Sequence, residues 1–108
     1  MKHNIENIIR HSEVSEKAIE RYLTKSVGAV GGECLKYANS NMTGYPDRIV
    51  LLPCGVTVWV ELKSKGKKPT KLQALRHERL RALGQQVVVI DSKTGVDELL
   101  GDYGRDEE

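Results

Sequence analysis

The spacing of apolar residues changes several times along the chain, and each change predicts a new element. Near the start, Ile19, Leu23 and Val27 recur every four positions, which is typical of a helix with one buried face. Ser15 stands just before this repeat, where a serine hydroxyl can cap the first turn. We therefore predict a helix over about Glu16–Val27, ended by the glycines that follow.

The centre of the chain changes to the two-residue alternation of β-strands. Strands are predicted at Glu33–Ala38, Arg48–Leu52 and Val56–Lys63, and residues 39–46 between the first two are rich in loop formers. Pro53-Cys54-Gly55 joins the second and third strands. A glycine at the third position of such a loop suits a three-residue hairpin, where a positive φ is needed.

The last part of the chain returns to helical periods. Thr70 can cap a helix over Lys71–Leu83, Gln86–Ile90 is a β-branched run typical of a buried strand, and a short helix follows at about Gly95–Leu100. The order α-β-β-β-α-β-α predicts one α/β domain with a mixed sheet. It occupies residues 14–100, between an N-terminal extension (1–13) and an acidic tail (101–108).

The helix after Thr70 has an apolar stripe along one face. Arg76 and Arg79 fall within this stripe, and they could lie at its edges, pair with acids or point into a cleft. The leucines that form the stripe are Leu72, Leu75, Leu80 and Leu83. The histidines share no metal-ligand spacing and are predicted at the surface: His3, His11 and His77.

Composition narrows the class of protein. The chain has 108 residues and 39% hydrophobic residues, enough for one core, and it has no Phe. No apolar run approaches the roughly 18 residues that a membrane helix needs, and the N-terminus has no signal-peptide pattern. We therefore expect a cytoplasmic, soluble protein. Two cysteines are too few for a disulfide scaffold.

The net charge of +2 hides an uneven distribution. Residues 63–81 carry eight basic side chains against a single acid, Glu78, whereas the tail is acidic. Such a local excess is suited to phosphate groups. An ordinary solvated face would have the same composition, so the run alone does not decide between the two.

The hairpin suggests chemistry through its register. If Leu52 pairs with Val56, Asp47 lies opposite Glu61, and directly opposed Cβ atoms are roughly 4.5–5.5 Å apart. Two carboxylates so placed repel each other unless a cation lies between them, and hard divalent ions take such oxygen ligands. Strand alternation puts Lys63 on the face of Glu61. A bulge in the turn would shift this register by one.

The first helix offers a third acid. Glu16 falls on the apolar stripe, where a buried charge needs a partner, but it could equally face solvent in the first turn, favoured by the helix dipole. Glu20 lies one turn later, near the edge of the stripe. The periodicity leaves these alternatives open.

Several stretches together resemble a known family. They are "SEKAIERYL", "GGECLKY", "GYPDRIVLLPCG", "VWVELK" and "KLQALRHERLRALGQQVVVID". In this order and spacing, G-x-P-D, E-x-K and a helical Gln look like the virus-type replication-repair nuclease (VRR-NUC) family. That family is a branch of the PD-(D/E)xK nuclease superfamily, with a restriction-endonuclease-like fold. The match covers about residues 14–100.

The resemblance implies a nuclease that needs Mg²⁺ or Mn²⁺ and hydrolyses DNA phosphodiester bonds. Asp47, Glu61 and the Leu62 backbone carbonyl would hold the metal, and Glu16, preferred over Glu20, would complete the site directly or through water. Lys63 would place or activate the attacking water. Gln73 would support the lysine or the scissile phosphate. The basic residues expected to bind DNA are Lys36, Lys65, Lys67, Lys68 and Lys71.

The resemblance also suggests partners. Small stand-alone members occur in phages and bacteria and act as homodimers on branched DNA such as four-way (Holliday) junctions. No organic cofactor and no membrane is implied. Two alternatives stay open: a DNA-binding module without catalysis, and a nuclease that acts on linear duplex.

Overall fold

A computed structural model describes residues 15–103 of the chain. In this part the elements follow the predicted order α-β-β-β-α-β-α. Their bounds are α1 (Glu16–Ala29), β1 (Glu33–Lys36), β2 (Arg48–Leu52), β3 (Val56–Leu62), α2 (Lys71–Ala82), β4 (Gln86–Ile90) and α3 (Lys93–Tyr103). The extension and most of the acidic tail lie outside the described residues, so the predicted domain boundaries stay predictions.

The four strands form one mixed sheet in the order β1-β2-β3-β4, with the first two pairings antiparallel and the last parallel. Leu52 pairs with Val56, and the ladder continues to Arg48 opposite Val60, which confirms the predicted hairpin register. A 3₁₀ turn over Pro53–Gly55 makes the connection. Gly55 has the expected positive φ of 79°, and Cys54 also adopts a positive φ, of 70°.

One face of the sheet is covered by α1 and α3 and forms the dry core. The Ser15 hydroxyl accepts the Ala18 N–H at 3.1 Å, so the predicted cap begins α1. The apolar stripe of α1 then packs against the inward positions of β2, β3 and β4. The core residues are Ile19, Leu23, Val27, Val50, Leu52, Val58, Val60, Leu62, Ile90, Val96 and Leu99.

The opposite face carries α2, and the leucine stripe of this helix is not the side that is buried. Leu72, Leu75 and Leu83 are 41%, 60% and 58% exposed, whereas His77 and Leu80 are buried. At about 100° per residue, the buried side is rotated by roughly a quarter turn from the leucine stripe. The reason is that α2 lies over polar residues of β3, so its inward face is polar as well.

Other differences concern the ends of elements. The predicted strand Glu33–Ala38 stops at Lys36, and the last helix is longer than predicted, from Lys93 to Tyr103. β4 lies at the edge of the sheet, and Val89 is 39% exposed, so this strand is less buried than its sequence suggested. Among the described residues, no helix is long and apolar enough to cross a membrane.

Candidate active site

The loop before β2 brings an acid to one end of the sheet. Gly44 has a φ of +96°, and an added Cβ there would come within 2.8 Å of Leu72, so the loop passes close beneath α2. Arg76 fixes this approach, because its Nε donates to the Thr43 carbonyl at 2.8 Å. Arg76 is thus bonded to a backbone carbonyl of the loop, which differs from the pairing with acids that its position in the stripe also allowed. The chain then reaches Asp47 at the start of β2.

Asp47 joins β2 to the end of β3. Its Oδ2 accepts the Leu62 backbone N–H at 3.0 Å, and its carbonyl accepts the Tyr37 N–H at 2.9 Å. Continuing the observed register by one position places Asp47 opposite Glu61. The two carboxylates are close enough that Asp47 raises the pKa of Glu61. The predicted pair is therefore brought together.

Glu61 is the most unusual group of this cluster because it is an acid with only 1% of its surface exposed. Burial is the main cause that raises its pKa from 4.5 to about 8, and repulsion by Asp47 adds to the shift. Lys63 opposes it, with Nζ at 3.8 Å from Glu61 Oε2. Even with Lys63 this close, the ionised form of Glu61 is therefore disfavoured unless a metal ion binds beside it.

Gln73 and His77 hold the Glu61 carboxylate from α2. They stand four residues apart, so both point from one side of the helix. Gln73 Nε2 lies 3.3 Å from Glu61 Oε2, and His77 Nε2 lies 3.2 Å from Oε1. The Gln73 amide is oriented by the helix cap, since its Oε1 accepts the Thr70 N–H at 2.9 Å. The cap thus directs the amide NH₂ group toward Glu61.

His77 was predicted at the surface, and this is wrong: it is 3% exposed and contacts Glu61. Burial lowers the pKa of its imidazole, and the charges of Arg81 and Lys63 lower it further. The sequence does hold a signal for this residue, which is its spacing of four from the motif glutamine. His3 and His11 lie outside the described residues.

The two acids of α1 have different surroundings. Glu20 Oε2 accepts from Arg48 Nε at 3.0 Å and from Nη2 at 2.7 Å, and this bonding is the main cause that lowers the pKa of Glu20. The pKa of Glu16 is raised, mainly by partial burial and then by Asp47, while Lys63 lowers it. Glu16 thus lies within the electrostatic reach of the Asp47–Lys63 cluster, and Glu20 is engaged elsewhere.

The donor atoms suit a hard divalent cation, which takes carboxylate and carbonyl oxygens. Asp47 and Glu61 are adjacent acids whose mutual repulsion a cation would relieve, and the exposed Glu16 can reach toward them. Within residues 15–103, no three His, Cys, Asp or Glu side chains are already gathered as a complete metal-binding group. A metal held here would therefore need further oxygens, such as the Leu62 carbonyl, water or a substrate phosphate.

The basic residues expected to bind DNA fall into two groups near this cluster. A cleft of about 340 Å³ is lined by Glu16, Lys63, Ser64, Lys67, Lys68 and Thr70. Lys65 and Lys71 are exposed on the same segment. Lys36 lies apart from it, at the end of β1, where its charge contributes to the lowered pKa of Glu20.

Comparisons with known proteins give the family. No protein-family model matches the sequence. Over 80 residues it is 44% identical to "Putative nuclease p44" of Acyrthosiphon pisum secondary endosymbiont phage 1, covering 74% of this chain and 86% of that protein. A solved structure described as "VRR_NUC domain" matches with a TM-score of 0.76 and 36% identity, covering 82% of this chain and 96% of that chain. The chain belongs to the VRR-NUC nuclease family.

The predicted family and its α/β fold are thereby confirmed. In this VRR-NUC domain, the positions that carry the G-x-P-D and E-x-K motifs meet at one end of the sheet, through Asp47, Glu61 and Lys63. The N-terminal ends of α1 and α2 reach the same place. Their positive dipole ends favour negative groups there, whether carboxylates or phosphates.

Proposed function

We propose that this VRR-NUC domain is a Mg²⁺- or Mn²⁺-dependent endonuclease that hydrolyses DNA phosphodiester bonds. The observation that carries the proposal is the buried Glu61 carboxylate beside Asp47 and Lys63. Burying an acid next to a second acid is unfavourable for a purely structural role. The arrangement becomes favourable when a cation binds between the two, so the pair is best explained as a metal site.

Asp47 and Glu61 would be the main metal ligands, with the Leu62 carbonyl and Glu16 completing the set. A metal bound there would lower the pKa of its water and neutralise charge that develops on the phosphate. Gln73 and His77 keep the Glu61 carboxylate in one orientation. Residues of this kind bond to a metal ligand and not to the metal itself. Their loss commonly lowers metal affinity or activity about 10–100-fold.

Lys63 is the cation of the site that can serve the substrate. Its ammonium lies 3.8 Å from Glu61, and its side chain keeps 16% of its surface exposed in the cleft. We assign it the role of orienting the attacking water and stabilising charge on the phosphate. Lysines beside the cleft would hold neighbouring phosphates without reading bases. These are Lys65, Lys67, Lys68 and Lys71, with Lys36 further away.

The preferred substrate in this proposal is branched DNA such as a four-way junction, cut by a homodimer in the cytoplasm of a bacterial cell. The exposed leucines of α2 support a dimer, since Leu72, Leu75 and Leu83 form an apolar face that a second copy could cover. Two active sites in one dimer would allow paired cuts in opposite strands.

Cleavage assays test this proposal directly. Labelled junction, flap and linear duplex are incubated with the protein and Mg²⁺ or EDTA, beside the Asp47→Asn and Lys63→Ala variants. We expect metal-dependent cutting, fastest on the junction, and almost none by either variant. Equal cutting by the variants would refute the site, and salt-sensitive binding without any cutting would favour a DNA-binding module. Faster cutting of linear duplex would refute the junction preference.

A further inference from the structure

The outer face of α1 carries a row of cations to which none of the motifs assigns a role. Lys17, Arg21 and Lys25 follow each other at four-residue steps, and all three side chains are exposed. With Glu20, Thr24 and Arg48 they line a groove of about 440 Å³. This α1 groove is separate from the lysine-lined cleft beside Glu61, since the two share no lining residue.

The order of charges in α1 does not favour the helix itself. Like charges four residues apart destabilise a helix by roughly 0.2–0.5 kcal/mol per pair, and opposite charges stabilise it by a similar amount. Lys17–Arg21 and Arg21–Lys25 are two such like-charged pairs, and Glu16–Glu20 is a third. The opposite-charge pair Lys17–Glu20, three residues apart, offsets part of this cost, but the cations still stand together in one row. An external anion would remove the repulsion among the cations.

Little negative charge is left to neutralise the groove from within. Glu20 is the acid that lines it, and two bonds from Arg48 already occupy its Oε2. On the neighbouring strand β1, Lys36 and Cys34 share the face toward α1, while alternation turns Glu33 to the other face. The α1 cations and Lys36 therefore present a positive surface to solvent.

The groove begins where the candidate active site ends. Glu16, in the cleft with Lys63, is followed directly by Lys17, and the row then runs away from the site along α1. Lys67 and Lys68 line this cleft with Lys63, and Glu16 lines it too. If these lysines hold phosphates on one side of a scissile bond at Lys63, a strand leaving along α1 would meet the cation row on the other side.

We infer that the α1 groove binds the phosphate backbone of a DNA segment on the second side of the scissile bond. Eight residues of helix separate Lys17 from Lys25, which is about 12 Å at 1.5 Å per residue. DNA rises about 3.4 Å per nucleotide along its axis, so the row is long enough to contact more than one phosphate of a strand. This inference rests on the proposed nuclease function and extends it from one DNA contact surface to two.

Two variants of equal charge test the inference. Arg21→Gln removes a cation from the middle of the groove row, and Arg79→Gln removes an exposed cation from the end of α2 that is remote from Thr70. Glutamine keeps the helix propensity in both. Binding to labelled duplex and junction DNA is measured with Ca²⁺ in place of Mg²⁺, between about 50 and 200 mM salt. Cleavage with Mg²⁺ is measured in parallel.

For the groove variant, we expect severalfold weaker binding and a slope of log K against log salt that is shallower by about 0.9, the value for one lost phosphate contact. KM should rise while kcat at saturating DNA stays unchanged, and the α2 variant should bind like wild type. Equal weakening of both variants, or of neither, would overturn the inference.

The same data separate this inference from the nuclease proposal. If the wild-type protein cuts DNA and the groove variant keeps the full salt slope of binding, only the groove inference is refuted. If the groove variant shows the expected shallower slope but the wild-type protein never cuts DNA, only the nuclease proposal is refuted. Absence of any DNA binding would refute both.

Discussion

The two faces of the sheet are covered by helices in very different ways. On the α1 face, aliphatic side chains such as Ile19, Leu23 and Val60 are fully buried. On the α2 face, the polar side chains Glu61 and His77 are buried, whereas Leu72 and Leu75 of α2 point outward. Apolar burial yields about 25 cal/mol per Å². The α1 face therefore supplies most of the folding free energy, and the α2 face gives up some of it to hold polar groups in place.

This difference suggests a division of roles within a small domain. A dry core tolerates no polar group without a partner, whereas a functional site needs such groups in a fixed geometry. The sheet serves both, because successive residues of β3 alternate between its faces. Val60 and Leu62 belong to the core, and Glu61 between them belongs to the site.

The largest expected effect is on the α2 face, from Glu61→Gln. The change keeps the shape of the side chain and removes the charge that would bind metal. Loss of a residue that only supports a metal ligand lowers activity about 10–100-fold. Glu61 is proposed as a ligand itself, so we expect the cleavage rate to fall more than a hundredfold. The measurement is the initial rate on labelled DNA with Mg²⁺. Glu78→Gln, an exposed acid of α2, should leave the rate nearly unchanged, and equal losses in both variants would contradict this account of the site.

Leu23→Ala tests the α1 face. The residue is fully buried in the core, so we expect a loss of about 2–5 kcal/mol in the free energy of unfolding, measured by urea denaturation. Leu75→Ala, at an α2 leucine that is 60% exposed, should change stability by less than about 0.5 kcal/mol in the monomer. Similar losses of stability from the two substitutions would contradict the proposed difference between the two faces of the sheet.

Buried Glu61 should also make the metal-free protein sensitive to pH. Its pKa is raised from 4.5 to about 8, so the folded state binds this proton more tightly than the unfolded state. Its contribution to stability is therefore fully present below about pH 4.5 and is lost as pH rises toward 8. In EDTA, Glu61→Gln should gain stability relative to wild type by a few kcal/mol over this range. Denaturation at several pH values measures the difference, and a pH-independent difference would show that Glu61 is not desolvated.

His77 provides a finer test of the α2 face. His77→Leu removes the contact with Glu61 Oε1 and should weaken Mn²⁺ binding about 10–100-fold, measured by calorimetry without DNA. His77→Gln offers an amide donor and should restore part of the affinity. Leu80→Ala is the matched control, because it should destabilise α2 without changing metal affinity. If the loss of Mn²⁺ affinity in the three variants is simply proportional to their loss of stability, His77 contributes only to packing.

The smallest effect is expected at Glu20. Its ion pair with Arg48 is partly exposed, so Glu20→Gln should cost no more than about 1 kcal/mol of stability and leave cleavage nearly intact. Glu16→Gln should instead lower the cleavage rate, because Glu16 lies near Asp47 and Lys63. Rates that fall for Glu20→Gln and not for Glu16→Gln would reverse the assignment of the helix acid.

Much of the site geometry could be predicted because it depends on local structure. The three-residue turn set the β2–β3 register, and alternation along β3 placed Glu61 and Lys63 on one face. Thr70 was predicted as a cap from a single residue, and the observed capping box with Gln73 follows from their spacing. Such contacts link residues a few positions apart, so their geometry is contained in the sequence pattern.

The parts of the site that the sequence did not predict depend on which surfaces of the helices and the sheet meet in three dimensions. The leucines of α2 form a regular apolar stripe, but the helix is rotated so that His77 and Gln73 face Glu61. No pattern within α2 can report this rotation, since it depends on an acid sixteen residues from His77. The proposed preference for Glu16 over Glu20 likewise rests on Arg48, which comes from strand β2 and pairs with Glu20. The sequence alone determined the elements, their caps and the hairpin register, because those interactions are local. Tertiary structure decided which side of each helix meets the site, because the partners are distant in the chain.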